Sequence, residues 1–386
     1  MGVNILSPEQ YREAIFLSMY AFQTELSEEQ REERLRKLDK HTILGIMHGE
    51  ELAAKLHIIP FQIMLNGESL AMGGIAGVAT YPEYRRKGYV QQLMASSLLK
   101  MREDGQTVSM LHPFSVGFYR KYGWELFTDF IKATLAKEDL IQVEQPAGSI
   151  RRYKKADGLE HLASVYEHFI RNMAGMLIRS TEWWLENTVD DLTYAIYYSE
   201  KGKPEGYILY SIENRKMEVE EFTVLSHEAR NSLWNFICQH DSMVDVLEMK
   251  TRANDPLFFS LRKPNVKAEI IPYTMARIVD AEKFLSAYPF KLKQGSSLLL
   301  NIQDDFAGWN SGLYQIDITG ARKADSGDIN TKETLTMSIN SLAALLFGYK
   351  TARQLWEIGH IRGNMESAKE LAAVIPEQTP YFADFF

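Results

Sequence analysis

Apolar residues recur along this chain at two periods, and the switches between them lay out its elements. Ser7-Pro8-Glu9-Gln10 is a helix start: a capping Ser, a Pro in the first turn and Gln three residues after the cap. Tyr11, Ile15, Ser18, Met19 and Phe22 continue it as one stripe. Ser27-Glu28-Glu29-Gln30 repeats the signal before a charged helix reaching about residue 37. Three strands are then predicted over 42–48, 51–65 and 68–80, split by Gly49-Glu50 and by Asn66-Gly67, the strongest short hairpin signal. A small apolar stretch, 74–80, ends at Tyr81-Pro82 and a basic corner, Arg85-Arg86-Lys87-Gly88-Tyr89-Val90. Past the corner Val90, Leu93, Met94, Leu98 and Met101 fall at helical spacing. A second block follows: a strand over 107–111, a short helix over 115–121, Tyr122-Gly123-Trp124-Glu125, and a strand over 126–136.

The middle third repeats this order more faintly. Helices are predicted over 158–171 and 180–187, strands over 192–199, 206–212 and 217–225, and a helix over 227–239. Its corner, Ser226-His227-Glu228-Ala229-Arg230-Asn231, has no glycine, a late lone arginine, and a glutamate that would repel phosphate. The last third predicts a helix over 281–286, strands over 296–303 and 312–319, a polar hairpin loop over 322–330 and a strand over 334–339. Helices over 341–348, 352–359 and 365–374 complete it, the last stopped by Pro376.

A strand feeding a helix through a basic glycine turn is a candidate pyrophosphate site. The first N–H groups of a helix lack internal partners and carry the positive end of its dipole, and Gly88 lets the backbone approach an anion. Arg85 and Arg86 can donate to phosphate oxygens. Four such residues alone read more readily as a solvated turn; the strand before them, the helix after them and the second block that follows favour the site.

At these residues the chain resembles the GNAT N-acetyltransferases, whose acetyl-CoA loop follows Arg/Gln-x-x-Gly-x-Gly/Ala; this chain has Val90 where Gly or Ala is usual. Phe118-Tyr119-Arg120-Lys121-Tyr122-Gly123-Trp124 is similar to that family's FY-x-x-x-GF segment. The whole chain resembles the Eis (enhanced intracellular survival) branch. That resemblance implies an α+β fold of two tandem GNAT-like mixed α/β units followed by a sterol-carrier-protein-like α+β domain. The expected boundaries are 1–146, 147–278 and 279–386, with the second unit having lost coenzyme binding. It implies acetyl-CoA as co-substrate, held by Val78, Ala79, Arg85, Arg86, Gly88, Tyr89 and Val90. It further implies direct transfer, through a tetrahedral intermediate, to amines of small molecules such as aminoglycosides or to lysine side chains, and a homo-oligomer, a hexamer by resemblance.

Composition narrows the partners. Net charge is 43 − 51 = −8, against a general nucleic-acid binder and compatible with cationic substrates. Cys238 is the single cysteine, so no intrachain disulfide forms and a reducing compartment fits. With no signal pattern and no apolar run of membrane-spanning length, a cytoplasmic protein without membrane or nucleic-acid partners is expected. No ligand spacing suggests a metal; His161 and His168 share a helix face without a carboxylate. Two other classes compete: a tandem-GNAT peptidoglycan aminoacyltransferase, disfavoured by the acidic balance its tRNA would meet, and a non-catalytic lipid-binding or sensor protein.

Acetyl transfer to an amine needs an acid for the departing thiolate and a base for the ammonium. Tyr119, at the family segment, is the candidate acid. His112, at a strand end, reads as a structural histidine. Glu25, Glu28 and Glu29 read as a solvated helix start or an attractor of cations. The chain finishes Pro380-Tyr381-Phe382-Ala383-Asp384-Phe385-Phe386, four aromatics in six residues, where tails are normally polar. Burying them favours docking into a groove. The resemblance then assigns the base to the α-carboxylate of Phe386, the alternative being a tail that only plugs a hydrophobic groove.

Overall fold

The computed structural model describes residues 2–324 and 334–386. The first block runs β1 (Val3–Ile5), α1 (Tyr11–Phe22), α2 (Glu28–Leu38), β2 (Thr42–His48), β3 (Glu51–Leu65), β4 (Glu68–Thr80), α3 (Tyr89–Glu103), β5 (Val108–Leu111), α4 (Val116–Arg120) and β6 (Glu125–Ala136). The second runs β7 (Ser149–Lys154), α5 (Leu159–Ile170), β8 (Met173–Leu177), α6 (Thr181–Trp183), β9 (Thr193–Tyr198), β10 (Pro204–Glu213), β11 (Lys216–Val224), α7 (His227–Cys238), β12 (Val246–Arg252), α8 (Leu257–Ser260) and β13 (Lys267–Ile278). The third runs α9 (Ala281–Ala287), β14 (Leu298–Gln303), β15 (Gly312–Asp317), β16 (Gly320–Lys323), β17 (Leu335–Ser338), α10 (Ile339–Leu346), α11 (Ala352–Glu357), β18 (Ile361–Arg362), α12 (Met365–Val374) and β19 (Thr379–Pro380).

Local chemistry accounts for many of these ends. Ser27 accepts from the Gln30 N–H and Gln30 reaches back to the Ser27 N–H, so the capping box predicted for α2 forms. Asn66 and Gly67 both take positive φ, 51° and 86°, as a tight hairpin requires. Of the loop expected over 322–330, residues 322 and 323 belong to β16, and everything from 325 lies outside the described residues.

The two blocks share one sheet, ordered β1-β2-β3-β4-β5-β13-β6-β12-β11-β10-β9-β7. Its centre is an exchange of strands. β13, from the second block, lies antiparallel between β5 and β6 of the first, while β6 pairs antiparallel with β12 of the second. Pro272 sits inside β13 where the register with β6 shifts, the position a proline can occupy in a central strand. Helices cover both faces, so the middle of β3 is buried almost without interruption. Arg277 of β13 joins the third domain to this sheet. Its guanidinium, fully buried, pairs with Asp304 at 2.6 Å and lies 5.4 Å from the Trp124 ring. The third domain is a separate sheet, β16-β15-β14-β17-β18, with an apolar cluster continuous with the first block through Ile63, Met72, Met110 and Phe127.

Candidate functional site

β4 and β5 run parallel for only three residue pairs, Met72 with Val108, Gly73 with Ser109 and Gly74 with Met110. Beyond Gly74 the strands part, and the β5-side edge of β4 has no strand partner among the described residues. Its backbone polar groups are left to bond whatever enters the opening. A bulge re-aims this edge: the β3–β4 register jumps between Lys55 and His57, with Gly77 at φ 55°. Val78 and Ala79 follow on that edge. The basic corner leaves the strand next. Arg86 and Gly88 take left-handed φ of 63° and 78°, and α3 opens at Tyr89. Arg85 Nε donates to the Thr80 carbonyl at 3.4 Å, and the Arg85–Gly88 turn is exposed. Tyr89 and Val90 are half-buried against the apolar cluster under α3. This cradle fits a pyrophosphate: exposed guanidinium groups, a glycine in a conformation other residues avoid, and a helix N-terminus.

The second block lacks such a cradle. Ser226 caps α7, and Arg230, only 14% exposed at its side chain, is committed to Asp255 at 2.6 Å.

Tyr119 lies on α4, beyond the end of β5, with its ring 5.1 Å from Phe118 and 5.4 Å from Phe114. Burial, with Tyr122 adding to it, pushes its phenol up to about 12, so it holds its proton at neutral pH. Beneath the bulge, on the other side of Gly77, lies buried Lys55. Its ammonium donates to Ser18 Oγ at 2.6 Å and reaches His57 Nε2 at 2.7 Å, and burial, with Arg34 adding to it, lowers it to about 7.

The tail reaches the opening from the far side. β19 pairs in parallel with β8, Thr379 against Met173, and Tyr381 N–H donates to the Ala174 carbonyl. Tyr381 and Phe382 are buried, as the aromatic run predicted; Phe385 is not, at 69% exposed. The Phe386 ring settles 5.0 Å from Phe61 and 5.3 Å from His112. It lies over Gly74, where a Cβ would stand 2.8 Å from the rings of both Phe386 and Phe61. The chain end and the parting of the strands therefore coincide, because Gly74 carries no side chain.

His112 sits in an aromatic enclosure. Four rings surround it, those of Tyr273, Phe382, Phe385 and Phe386, at 4.6–5.8 Å. Its Nε2 is buried without a hydrogen-bond partner, and burial pushes it down to about 4, so it is neutral. Residues that the sequence did not single out hold the tail. Asp384 Oδ1 accepts from Arg179 Nε at 2.8 Å and Trp183 Nε1 at 2.7 Å, and Tyr273 donates to the Asp384 carbonyl. Of the candidates set aside, Cys238 is buried in the second core, and Glu28 pairs with Arg31 on the surface of α2. Among the described residues no cluster of His, Cys, Asp or Glu is placed to hold a metal, and no helix is long and apolar enough to cross a membrane.

Comparison with known proteins matches this architecture. Residues 3–127 and 175–278 each match a family model described as an acetyltransferase (GNAT) domain, and residues 281–383 match a sterol carrier protein domain. The crystal structure of a conserved protein of unknown function from Enterococcus faecalis V583, titled a probable N-acyltransferase, superposes with a TM-score of 0.92. It is 31% identical, over 100% of this chain and 99% of that one. An uncharacterized N-acetyltransferase of Streptomyces griseus is 23% identical over 84% of each chain. Eis1 from Mycobacterium abscessus shares the fold, with a TM-score of 0.82 and 19% identity over the whole of both chains.

Proposed function

Because the chain belongs to the Eis-like family of GNAT acetyltransferases, and is itself an acetyltransferase, we propose that it moves acetyl from acetyl-CoA directly to an amine at the opening between β4 and β5. Acetyl-CoA supplies the activated acyl group as a thioester. Arg85 and Arg86 bind its pyrophosphate, with the backbone of Gly88, Tyr89 and Val90 at the start of α3. Val78 and Ala79 bond the pantetheine arm along the unpaired edge of β4.

An alkyl ammonium, with a pKa of about 10.4, attacks only after losing a proton, and a thiolate of pKa about 8.5 leaves better when it gains one. The Phe386 α-carboxylate accepts the first proton, directly or through water, and Tyr119 donates the second. Direct transfer also fits the cysteine count: Cys238, the single thiol, is buried in the second unit and pushed up to about 12 by burial, so it offers no thiolate for an acyl-enzyme. The acidic net charge suits cationic acceptors, aminoglycosides first and lysine side chains as a second class.

The observation that carries this reading is the docking of Phe386 over Gly74, where β4 and β5 part. Release of free thiol from acetyl-CoA, followed across aminoglycosides, polyamines and a lysine peptide, tests it. Turnover with at least one amine class is expected. Thiol release at the buffer rate with every amine would refute the assignment.

A further inference from the structure

The second unit keeps the strand pattern of an acetyl-coenzyme site without its cradle. β11 and β12 run parallel through Val219 and Met249 and then part, as β4 and β5 do after Gly74 and Met110. Two residues beyond the last pair stands Glu221, buried on β11. Both terminal nitrogens of Arg179 donate to it, and Tyr207 adds a third hydrogen bond at 2.7 Å. The Arg179 guanidinium lies against the rings of Tyr166 and Trp184, 4.3 and 4.4 Å from their centres, and its Nε donates to Asp384.

We infer that the second GNAT-like unit is the receptor for the C-terminal tail: Tyr381 and Asp384 occupy its vestigial coenzyme opening while Phe382 packs toward Phe127 of the first unit, and this docking places Phe386 in the working opening of the first unit. The catalytic consequence rests on the reading of Phe386 given above; the docking itself does not.

Three features locate the tail there. Tyr381 is buried in the second unit's own apolar cluster, with Met176, Trp184, Tyr207 and Leu209. Its phenol lies within electrostatic reach of Glu221 and Arg179, and also of Asp255 and of Arg252 at the end of β12. β19 pairs in parallel with β8, whose Met173 Sδ in turn accepts from Arg252. Asp384 is then gripped by Arg179 and Trp183, two residues before Phe386. Three donors, Arg179 Nε, Trp183 Nε1 and the Tyr273 hydroxyl, fix a segment that would otherwise be a loose end, and a reacting group is useful only when so fixed.

The grip also has an electrostatic asymmetry. Glu221 and Asp384 share one arginine, so the buried cluster carries one excess negative charge when both carboxyls are ionised. Burial raises the Asp384 carboxyl, Glu221 raises it further, and Arg179 opposes them. Removing the Asp384 side chain leaves Arg179 paired with Glu221 alone, a neutral pair. Asp384→Ala is therefore expected to fold.

Hydrogen–deuterium exchange of the tail, measured beside steady-state kinetics, tests the inference. In Asp384→Ala the amides of 379–386 should exchange at least about tenfold faster while β3 and β4 stay protected. Turnover should fall about 10²-fold with the KM for acetyl-CoA within about twofold. Asp384→Asn, whose side-chain oxygen still accepts from Arg179 and Trp183, should keep tail protection and most of the turnover. Trp183→Phe, which keeps the ring beside Phe61 and loses one donor, should loosen the tail to an intermediate degree. Wild-type exchange of the tail in both Asp384→Ala and Trp183→Phe would overturn the inference, whatever the turnover. Faster exchange with full turnover would uphold the docking and remove Phe386 from the chemistry.

Discussion

Gly74→Ala is a one-carbon change whose effect follows from the geometry. The new Cβ would stand 2.8 Å from Cε2 of Phe386 and 2.8 Å from Cε2 of Phe61. Carbon atoms rest at about 3.5–4.0 Å, so each ring must withdraw by roughly 0.7–1.2 Å. The backbone has little freedom to move instead, since Gly74 is in register with Ile59 on one side and Met110 on the other. Its φ is not in the left-handed region, so alanine itself is tolerated there. The rings can give, because both are half-buried side chains at the edge of the opening. Overpacking of this kind costs about 1–3 kcal/mol of stability. A displacement near 1 Å at a reacting group costs about 10²-fold in rate. Purified Gly74→Ala should therefore melt as a folded protein, slightly below wild type, and release thiol from acetyl-CoA about 10²-fold more slowly at saturating amine. A variant that turns over within about twofold of wild type would show that the position of Phe386 does not matter to the chemistry.

Other outcomes follow from individual residues. Tyr119→Phe should lower turnover by about 10²–10⁴-fold with acetyl-CoA affinity by calorimetry nearly intact; a near-normal rate would make Tyr119 a packing residue. Replacing Arg85 and Arg86 together with Ala should weaken acetyl-CoA binding by one to two charge-assisted bonds at about 1.5–3 kcal/mol each, and calorimetry should give one site per chain; unchanged affinity or two sites would contradict the cradle. Lys55→Met should stabilise the fold in a pH-dependent way. Burial lowers the Lys55 ammonium from 10.5 to about 7, so between those values the unfolded chain binds the extra proton and stability falls as pH falls. The burden is full below about pH 7 and absent above about pH 10.5, on the order of 5 kcal/mol less the lost hydrogen bonds. Urea melts showing equal stabilisation at pH 7 and pH 10 would refute this.

What the chain revealed in advance was what its neighbours in sequence decide. The hairpin at Asn66-Gly67, the capping box at Ser27 and the Pro376 stop after α12 need only adjacent residues, and the corner from Arg85 to Val90 is a local motif. Four strands of the second block, β7, β8, β12 and β13, have no clear local signature in the sequence. Met173–Leu177 is buried throughout and shows no period, and β13 is half exposed and interrupted by Pro272. The exchange of β6 and β13 between blocks joins residues more than a hundred positions apart, for which no spacing rule exists. The same limit hid the tail's anchors: Asp384 and Arg179 lie 205 residues apart and look like ordinary surface charges until the fold buries both. The four rings around His112 arrive from β13 and the tail, so no neighbour in sequence announces its enclosure.

The most direct test of the account changes the charge at the chain end and leaves the docked rings alone. One glycine appended after Phe386 moves the carboxylate one residue onward while Tyr381, Phe382 and Phe386 can still pack as before. Turnover and its pH profile, measured by thiol release, should change together. With the carboxylate of Phe386 as base, the extended enzyme should bind acetyl-CoA normally, lose about 10²–10⁴-fold in turnover, and recover rate only as rising pH deprotonates the amine in solution. An extended enzyme with the wild-type rate and the wild-type pH profile would contradict the assignment.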